Sequence, residues 1–371
     1  MKILQLTHVF LPNIGGIEFY VYRLTRDLRD HNTLIITSRR KTPPSDLDGI
    51  SAKYLTSRTI VPRNPMLFGL DKELRAFGPD IVHLHSIWFI PSFQAILLKK
   101  RYGFKVINTV HGAYPDEASF AVKVFTTLFK PMAKYILKNS DRIIALTPKE
   151  KQKMVDIFGV PEGKICVIGN GVDEIDIDEG VKDDVLRKTG NSFILFTGRI
   201  IPDKNPEVLV EAFDIIADRC PAYKVVFVGP IDETYKDRLT RLSRNPDRLI
   251  FYGSLHPVFQ AKELAALYSL ADVSVAIGSW EGLPTRVLES MIQKTPAVVY
   301  SSGGSSDLIE DEENGYLISE LSAQRVSEKL HRYLSETEAT RETIGTNARE
   351  AIEDYRWSNK VADITKVYAS L

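Results

Sequence analysis

Short apolar runs rich in β-branched residues recur along the whole chain, and longer helical stretches separate them. The first half contains KILQLTHVF, NTLIITS, DIVHLHS, FKVINTVHG, DRIIALT and KICVIGNG, and the second half contains FILFTGR, YKVVFVG, RLIFYGS, DVSVAIG, PAVVYSS and GYLIS. Because these runs are continuously apolar rather than alternating, both faces of each sheet should be covered. Strand–helix alternation with right-handed crossovers therefore predicts an α/β fold of parallel, doubly wound sheets.

The two series of strands are similar in size, and 371 residues are enough for two domains. The stretch 168–192 is acidic, contains glycine and has no apolar period, so we interpret it as the connection between the domains. The predicted domains are 1–168 and 169–350, followed by a C-terminal segment, 351–371. Helices are predicted at 16–30, 120–139, 206–219, 258–270, 284–293 and 322–335.

Charge and cysteine content exclude several classes of protein. Lys and Arg together number 48, and so do Asp and Glu, which indicates no bulk attraction to nucleic acid. The two cysteines, Cys166 and Cys220, form no disulfide framework and are typical of a reducing compartment. No run approaches the ~18–20 apolar residues of a spanning helix. We expect a cytoplasmic protein without a nucleic-acid partner.

The stretch SWEGLPTRVLESM, residues 279–291, places a glutamate on each side of a predicted helix entrance. Pro284 suits the first turn of a helix, whose free N–H groups form an anion site. A diphosphate bound there would have Glu281 in front of it and Glu289 about one turn behind, matching the order sugar, diphosphate, ribose in a nucleotide-sugar. The spacing alone fits equally well two glutamates without a ligand, Glu281 at the surface and Glu289 in a helix whose dipole favours an acidic residue near its N-terminus.

The loop GRIIPDKNPE follows the strand run FILFT and carries Arg199 and Lys204. Two cations at a strand end can clamp a diphosphate, Arg through its planar fork and Lys as a point charge. Either residue alone fits a solvated loop charge equally well. Their occurrence together with an anion site in the same domain favours the clamp.

Motifs along almost the whole chain, in one order, resemble the retaining GT-B glycosyltransferases of family 4, also called glycosyl transferase group 1. These motifs are GGIE, VHG, NGVD, GR…DKN, EGLPTRVLES with its two glutamates, GG…D.I…NGYL and YRWSNKVADITKVY. The resemblance implies two Rossmann-like domains facing a central cleft, with acceptor binding in the first and nucleotide-sugar binding in the second. It also implies that the helix in 351–371 crosses back to the N-terminal domain.

The resemblance also assigns roles to individual residues. It implies that His111 contacts the donor sugar, that Arg199 and Lys204 stabilise the departing diphosphate, and that Glu281 and Glu289 hold the sugar and the ribose. The implied donor-binding residues are Gly15, Gly16, Gly282, Leu283, Pro284, Thr285 and Glu289. The glycines and the Gly-Leu-Pro turn would allow backbone to approach the donor closely.

The sequence predicts no metal and no cofactor other than the donor. His8, His83, His85 and His111 lie near strand ends, but no Cys or paired-His spacing supports a zinc site. The pair Asp176 and Asp178 has the D-x-D form that holds a divalent metal in another glycosyltransferase fold. Here it belongs to the predicted connection, where a solvated acidic segment is the better interpretation.

Residues 118–140 contain four lysines and no acidic residue. On one continuous helix the lysines would share a face opposite Phe125, Leu128, Phe129, Met132 and Ile136, as in a helix that lies on a membrane surface. A helix packed on a core gives the same pattern, and Pro131 is expected to split the segment. The sequence therefore leaves open a peripheral contact with the inner membrane face.

The predicted activity is retaining, metal-independent transfer of a sugar from a UDP- or GDP-sugar to a hydroxyl of a glycan, a lipid-linked acceptor or a small molecule. Two alternatives remain, a nucleotide-sugar epimerase of the same fold and a nucleotide-sugar-binding module without catalysis. A Rossmann dehydrogenase is disfavoured, because THVFLPNIGGIE lacks the G-x-G-x-x-G fingerprint.

Overall fold

The computed structural model describes residues 1–13, 15–39, 41–44, 46–61, 64–114, 120–279, 282–302 and 304–371. These residues divide into two compact units. The first holds 1–114, 120–171 and 357–371, and the second holds 172–356. The division falls inside the stretch 168–192 that the sequence marks as the connection, and the chain returns to the first unit for its last helix.

The first unit is built on a parallel sheet. Its elements are β1 (Lys2–Leu6), α1 (Gly16–Asp27), β2 (Asn32–Ser38), β3 (Ala52–Leu55), β4 (Ser57–Val61), β5 (Asn64–Leu67), α2 (Leu70–Phe77), β6 (Ile81–His85), α3 (Ile90–Tyr102), β7 (Lys105–Thr109), α4 (Phe120–Asn139), β8 (Arg142–Ala145), α5 (Pro148–Phe158) and β9 (Ile165–Val167). The strand order is β3-β2-β1-β6-β7-β8-β9, and β4 and β5 form a separate antiparallel hairpin.

The second unit repeats this arrangement. Its elements are α6 (Glu179–Thr189), β10 (Phe193–Thr197), α7 (Pro206–Ile216), β11 (Lys224–Val228), α8 (Glu233–Leu242), β12 (Leu249–Gly253), α9 (Ala261–Leu270), β13 (Val273–Ala276), α10 (Thr285–Ile292), β14 (Ala297–Tyr300), β15 (Tyr316–Ile318), α11 (Ala323–Leu334) and α12 (Glu338–Ala351). The strand order is β12-β11-β10-β13-β14-β15, all parallel. The final helix, α13 (Trp357–Ala369), belongs to the first unit.

Each sheet is covered on both faces, which confirms the predicted fold class. On β1, Leu4 and Leu6 pack into one core, whereas Ile3 packs into a second core on the opposite face with residues of α1 and α13. Trp357 and Tyr368 of α13 are almost completely buried in that second core. Side chains that alternate between two apolar layers explain why the strand runs contain few polar residues.

Helix α6 lies in the stretch 168–192, where the sequence analysis saw no apolar period. Asp178 occupies its N-cap position, and Val185 is a fully buried member of the core that α9 also joins. With few buried positions among mostly charged residues, the helical period is too weak to detect in the sequence. Asp178, one of the paired acidic residues, is exposed and forms an ion pair with Lys262 at 2.7 Å.

Helix α4 departs from the sequence prediction in two ways. The helix is continuous through Pro131, which was expected to split it. Leu128 was expected on the apolar face, yet its side chain is 71% exposed. Pro131 is also exposed, so its ring meets solvent rather than packed neighbours, and the helix tolerates it although proline lacks the N–H donor.

The connection between β2 and α2 contains β3 and the hairpin of β4 and β5, which are not among the strand runs predicted from the sequence. β3 pairs in parallel with β2, from Ile35 opposite Ala52 to Ser38 opposite Leu55. No residue of β3 is fully buried and the centre of β4 is exposed, so neither strand has the continuous apolar run on which the strand prediction rests.

Each sheet reverses its strand order at one place, and these places position the candidate site. In the first sheet β1 lies beside β2 on one side and β6 on the other, and in the second sheet β10 lies between β11 and β13. Ligands of open α/β sheets bind beyond the carboxyl ends of the strands at such reversals. At the first reversal, the loops after β1 and β6 meet through the stacked rings of His8 and Phe89, whose centroids are 3.6 Å apart.

Within the described residues, every helix is either too short or too polar for a bilayer crossing.

Candidate functional site

The two loops at the reversal of the second sheet are tied together by Asn205. Its amide nitrogen donates to the carbonyl oxygen of Ile277 at 2.7 Å and to the hydroxyl of Ser279 at 3.0 Å. Asn205 follows the loop that carries Arg199 and Lys204, and Ser279 begins the approach to α10. The side chain of Asn205 therefore holds the cationic loop beside the segment that enters α10.

Close backbone packing at the same sheet edge depends on two glycines. Gly198 follows β10 with φ of 109°, and Gly229 follows β11 with φ of 148°. A Cβ added to Gly229 would lie only 1.9 Å from the carbonyl oxygen of Gly198. A side chain would fit neither of these backbone conformations, nor the close contact between the two residues. Glycine at both positions therefore lets the turn before Arg199 pack against the end of β11.

The entrance of α10 has the arrangement expected for an anion site. Pro284 is the N-cap residue in an extended conformation, and the helix begins at Thr285, one residue later than the sequence predicts. The N–H of Gly304 donates to the carbonyl oxygen of Gly282 at 2.7 Å, which anchors the turn before the helix. Leu283 and Pro284 are buried. The first-turn N–H groups of α10 thus start from a fixed turn at the carboxyl edge of the sheet.

Glu289 lies one turn into α10 and is oriented by a buried tyrosine. The hydroxyl of Tyr268 donates to Oε2 of Glu289 at 3.0 Å, and the hydroxyl of Thr197 lies 2.7 Å from that of Tyr268. Burial raises the pKa of Glu289, although the Tyr268 hydrogen bond and the positive charge of Arg286 oppose the increase. A carboxylate has several acceptor positions, so Glu289 can accept from ligand hydroxyls as well as from Tyr268.

Tyr268 and Arg286 are functional candidates that the sequence analysis missed. Arg286 is in the first turn of α10, and its Nη1 donates to the carbonyl oxygen of Thr197 at 3.3 Å. It therefore adds a third cation to the edge that carries Arg199 and Lys204. The position of Arg286 two residues after Pro284 is visible in the sequence, whereas the contact of Tyr268 requires the packing of α9 against α10.

Glu281, which the resemblance assigns to the donor sugar, lies outside the described residues. Arg199, Lys204, Gly282, Leu283, Pro284, Thr285 and Glu289 all belong to the second unit, and Gly15, Gly16 and His111 belong to the first. The second unit thus contains the predicted residues for the diphosphate and the ribose.

In the first unit, Gly15 and Gly16 lie at the beginning of α1. Gly15 is the N-cap residue, with an extended backbone that any residue can adopt. A Cβ added there would lie 2.4 Å from a carboxylate oxygen of Glu18, which is buried. A Cβ added to Gly16 would meet no heavy atom within 4 Å. The glycine at position 15 therefore makes room for Glu18, and the space around Gly16 is open to an approaching group.

His111 follows β7 with φ of 52°, in a turn that buried partners hold in place. The N–H of Gly112 donates to Oε1 of Glu150 at 2.6 Å, and the N–H of Leu146 donates to Oε2 of the same carboxylate at 2.7 Å. The indole N–H of Trp88 donates to the carbonyl oxygen of Gly112 at 3.0 Å. These bonds fix the backbone of the turn and with it the starting direction of the His111 side chain.

The imidazole of His111 lies among aromatic rings and is uncharged at neutral pH. It packs edge-on against Tyr20 with centroids 4.8 Å apart, and its Nε2 lies 3.3 Å from Nδ1 of His85. Burial lowers the pKa of His111 to about 3. The ring therefore acts through one donor and one acceptor nitrogen rather than as a cation.

The described residues contain no group of three or more His, Cys, Asp or Glu side chains arranged to hold a metal ion. His83 and His85, two of the histidines considered for zinc, form hydrogen bonds within the first unit. His83 contacts Tyr368 and Thr109, each at 2.7 Å, and His85 contacts Gln5 at 2.8 Å.

Two family models together match almost the whole chain. Residues 14–175 match the family described as Glycosyltransferase Family 4, and residues 178–351 match the family described as Glycosyl transferases group 1. The two matches meet within a few residues of the division between the structural units.

Similar proteins span the full length of the chain. The uncharacterized glycosyltransferase MJ1607 of Methanocaldococcus jannaschii is 26% identical, and the alignment covers 99% of this chain and 98% of that protein. Among solved structures, sucrose-phosphate synthase from Thermosynechococcus elongatus has a TM-score of 0.83 at 21% identity, with 100% and 98% of the two chains covered. The Anabaena protein HepE, solved with UDP-glucose, has a TM-score of 0.80 at 17% identity and full coverage of both chains.

Proposed function

Since the chain belongs to the group 1 glycosyltransferases and has the GT-B architecture, we propose that it transfers a sugar from a UDP- or GDP-sugar to a hydroxyl acceptor, with retention of anomeric configuration and without a metal ion. One observation carries the proposal: Asn205 ties the loop of Arg199 and Lys204 to Ile277 and Ser279, in the segment that leads from β13 to α10 at the reversal of the second sheet. A helix N-terminus and two cations beside it match the charge of a diphosphate.

The donor lies along the entrance of α10. Its diphosphate accepts from the first-turn N–H groups near Thr285 and contacts Arg199 and Lys204. The ribose reaches one turn further, where Glu289 accepts from its hydroxyls while Tyr268 holds the other carboxylate oxygen. The solved structure of HepE with UDP-glucose supports a uridine nucleotide among the candidate donors.

The chemical step needs no nucleophile from the protein. The bond between the anomeric carbon and the β-phosphate oxygen breaks as the acceptor oxygen attacks from the same face, and the departing phosphate takes the acceptor's proton. Arg199 and Lys204 stabilise the negative charge that develops on the leaving diphosphate, which is electrostatic catalysis. Because these cations supply the charge, the reaction proceeds without a divalent metal.

A thermal-shift screen followed by product analysis tests this function. UDP-sugars or GDP-sugars should raise the melting temperature, since a ligand that binds only the folded form stabilises it. Transfer to an acceptor should then proceed unchanged with EDTA present, and the proton NMR coupling of the anomeric hydrogen should match that of the donor. An inverted product, or complete loss of transfer with EDTA, would contradict the mechanism.

The acceptor is presented at a membrane surface by α4, as a lipid-linked hydroxyl. Val124, Leu128, Pro131 and Tyr135 recur every three or four residues and are all exposed, so they form one apolar stripe. Exposed lysines lie along the same helix, namely Lys123, Lys134 and Lys138. An apolar stripe accompanied by lysines suits insertion at the headgroup level of an anionic bilayer.

Co-sedimentation with vesicles tests this contact. The protein should bind vesicles that contain phosphatidylglycerol and bind pure phosphatidylcholine vesicles weakly. Leu128→Glu should weaken binding by about 10- to 100-fold, because the bilayer would no longer bury a leucine side chain at this position. Ile215→Glu, at an exposed apolar position on α7 of the second unit, should bind as well as the wild type. Equal binding of both variants would exclude α4 as the contact.

A further inference from the structure

A buried cluster of polar side chains lies behind His111. Four of its members come from the face of the first sheet that α1 and α13 cover, and each is completely buried: Gln5, His83, His85 and Thr109. The strand register places Gln5 opposite His83, and His85 opposite Thr109. The rings of His83 and His85 are stacked with centroids 4.5 Å apart. Polar groups this deeply buried require hydrogen-bond partners, and the cluster provides them.

Gln5 connects two branches of hydrogen bonds, the first of which leads to α13. Its amide nitrogen donates to the hydroxyl of Tyr368 at 3.2 Å. That hydroxyl then has its own hydrogen for Nδ1 of His83, 2.7 Å away. His83 consequently carries its proton on Nε2 and donates to the hydroxyl oxygen of Thr109, also at 2.7 Å.

The second branch leads to His111. The amide oxygen of Gln5 can only accept, so Nε2 of His85, at 2.8 Å, carries the proton of that ring. Nδ1 of His85 is then a bare acceptor, and the nitrogen that faces it at 3.3 Å is Nε2 of His111. A hydrogen bond between these two rings requires that His111 carry its proton on Nε2.

This assignment of protons holds because all three rings are neutral. Burial lowers the pKa of His83 and His111 to about 3 and lowers that of His85 well below its ordinary value. Each ring therefore has one N–H and one lone pair, and a proton on one nitrogen excludes a proton on the other. The oxygen of the Gln5 amide can only accept and its nitrogen can only donate, so this orientation of the amide gives the two branches their direction.

We propose that His85 is a positioning residue: through Gln5 it holds His111 in the Nε2–H tautomer, so that His111 presents the bare lone pair of Nδ1 to a substrate hydroxyl. The proposal rests on the proposed function and on the role that the family resemblance implies for His111, contact with the donor sugar, and it specifies the chemistry of that contact. An Nδ1 lone pair accepts from a sugar hydroxyl, whereas the opposite tautomer would present an N–H to the hydroxyl's oxygen.

The first test reads the tautomer directly. Long-range ¹H–¹⁵N correlation spectra of protein labelled with ¹⁵N-histidine distinguish Nε2–H from Nδ1–H rings, and loss of one signal set in His111→Gln assigns that ring. At pH 7 and without donor, we expect His111 as the Nε2–H tautomer. An Nδ1–H ring in the wild-type protein would overturn the proposal.

The second test uses two matched substitutions of His85. Asn places its amide oxygen where the imidazole has Nδ1, so His85→Asn can still accept from His111. Gln places its amide where the imidazole has Nε2, so His85→Gln keeps the contact with Gln5 but has no acceptor for the Nε2–H of His111. We expect His85→Asn to keep the tautomer and most of kcat/KM. We expect His85→Gln to lose the single tautomer and about five- to tenfold in kcat/KM, the scale of one hydrogen bond.

Asn108→Val supplies a control for polarity changes in this sheet. Asn108 is buried on β7 beside Thr109, but its side chain lies on the opposite face of the strand with Val106 and Val110. This variant should keep both the tautomer and the rate. If His85→Asn and His85→Gln give the same tautomer, His85 does not position His111 and the proposal fails.

The outcomes also separate this proposal from the proposed function. If His111→Ala abolishes transfer while the wild-type ring carries its proton on Nδ1, the positioning role is refuted and the transferase function stands. If the ring is Nε2–H but His111→Ala transfers at the normal rate, His111 does not contact the substrate. In that case this proposal and the role that the resemblance implies for His111 both fail, whereas the transferase function still stands on its own test.

Discussion

The carboxyl edges of the two sheets are alike in topology but differ in charge, since the second is cationic and the first is neutral. Beyond β10 and β13 lie three cations and an oriented carboxylate, with Asn205 and paired glycines fixing the backbone. At the ends of β6 and β7 in the first sheet lie neutral imidazoles joined by buried hydrogen bonds. The fold thus determines where a ligand can meet each sheet, and the side chains at the strand ends determine which chemical group each sheet can hold.

The two sets of side chains suit different chemical groups. A diphosphate carries negative charge, which the cations of the second unit can balance. Sugar hydroxyls are neutral, and a neutral imidazole can bind them without the desolvation that a buried charge would require. Each of the following predictions tests one side of this comparison.

Acid should destabilise the first sheet more than the second. The folded pKa of His83 is lowered to about 3 and that of His85 is lowered too, whereas unfolded histidine titrates near 6.5. Below pH 6.5 the unfolded state therefore binds more protons, and the free energy of unfolding falls by about 1.4 kcal/mol per pH unit for each proton gained. Burial raises the pKa of Glu150 in the same unit, which opposes the trend, since it favours the folded state at low pH.

Hydrogen exchange at pH 6.5 and 4.5, corrected for intrinsic rates, measures this effect for each sheet. Protection should drop more in β6 and β7 than in β10 and β13. His83→Asn removes one titrating ring, so its stability should depend less steeply on pH than that of the wild type. Equal losses in both sheets would show that the neutral histidines do not govern acid stability.

Removing a cation from the second unit should have the largest effect on turnover. Lys204→Ala and Arg199→Ala should each lower kcat by about 100- to 1,000-fold, because charge on the leaving diphosphate would lose a preorganised partner. Melting temperatures should change little. Lys236→Ala on α8, an exposed lysine that pairs with Glu233, is the matched control and should keep full activity. A rate within twofold of the wild type for either site variant would exclude the clamp.

Loss of the oriented carboxylate should weaken donor binding rather than folding. Glu289→Gln should raise the Kd for the donor about 10- to 150-fold, the range for hydrogen bonds to a charged group. Calorimetry with a normal donor and with a 2′-deoxyribose analogue sharpens the test. The wild type should discriminate between the two ligands and the variant should not. Glu328→Gln on α11 is an exposed control, and equal discrimination by Glu289→Gln would place the ribose elsewhere.

The sequence predicts the strands of both sheets well because buried parallel strands are continuously apolar, as in FILFT and KVVFV. It also predicts the loop of Arg199 and Lys204 and the entrance of α10, since strand-end loops and a Pro-led helix are local features. It misses α6 and β3, where few buried residues mark the period.

Contacts between distant segments could not be predicted from one sequence. Gln5 and Tyr368 are 363 positions apart and meet only because α13 packs on the first sheet. The alternating I-x-H-x-H pattern of β6 was visible, but it does not reveal which partners face the two rings. Tyr268 similarly resembles any core aromatic residue until α9 is placed beside α10.

The smallest effect is expected from Tyr268→Phe. This variant separates the orientation of the Glu289 carboxylate from its charge. The variant keeps the ring and the Glu289 carboxylate but removes the hydroxyl that donates to it, so donor affinity should fall by about fivefold, the scale of one hydrogen bond. Because that bond opposes the upward shift of the Glu289 pKa, its loss should raise the pKa further and make the defect larger at pH 5.5 than at pH 8. Tyr333→Phe, a buried tyrosine of the same unit, controls for loss of a buried hydroxyl. A defect that does not vary with pH would mean that Tyr268 supports the fold of α10 without tuning Glu289.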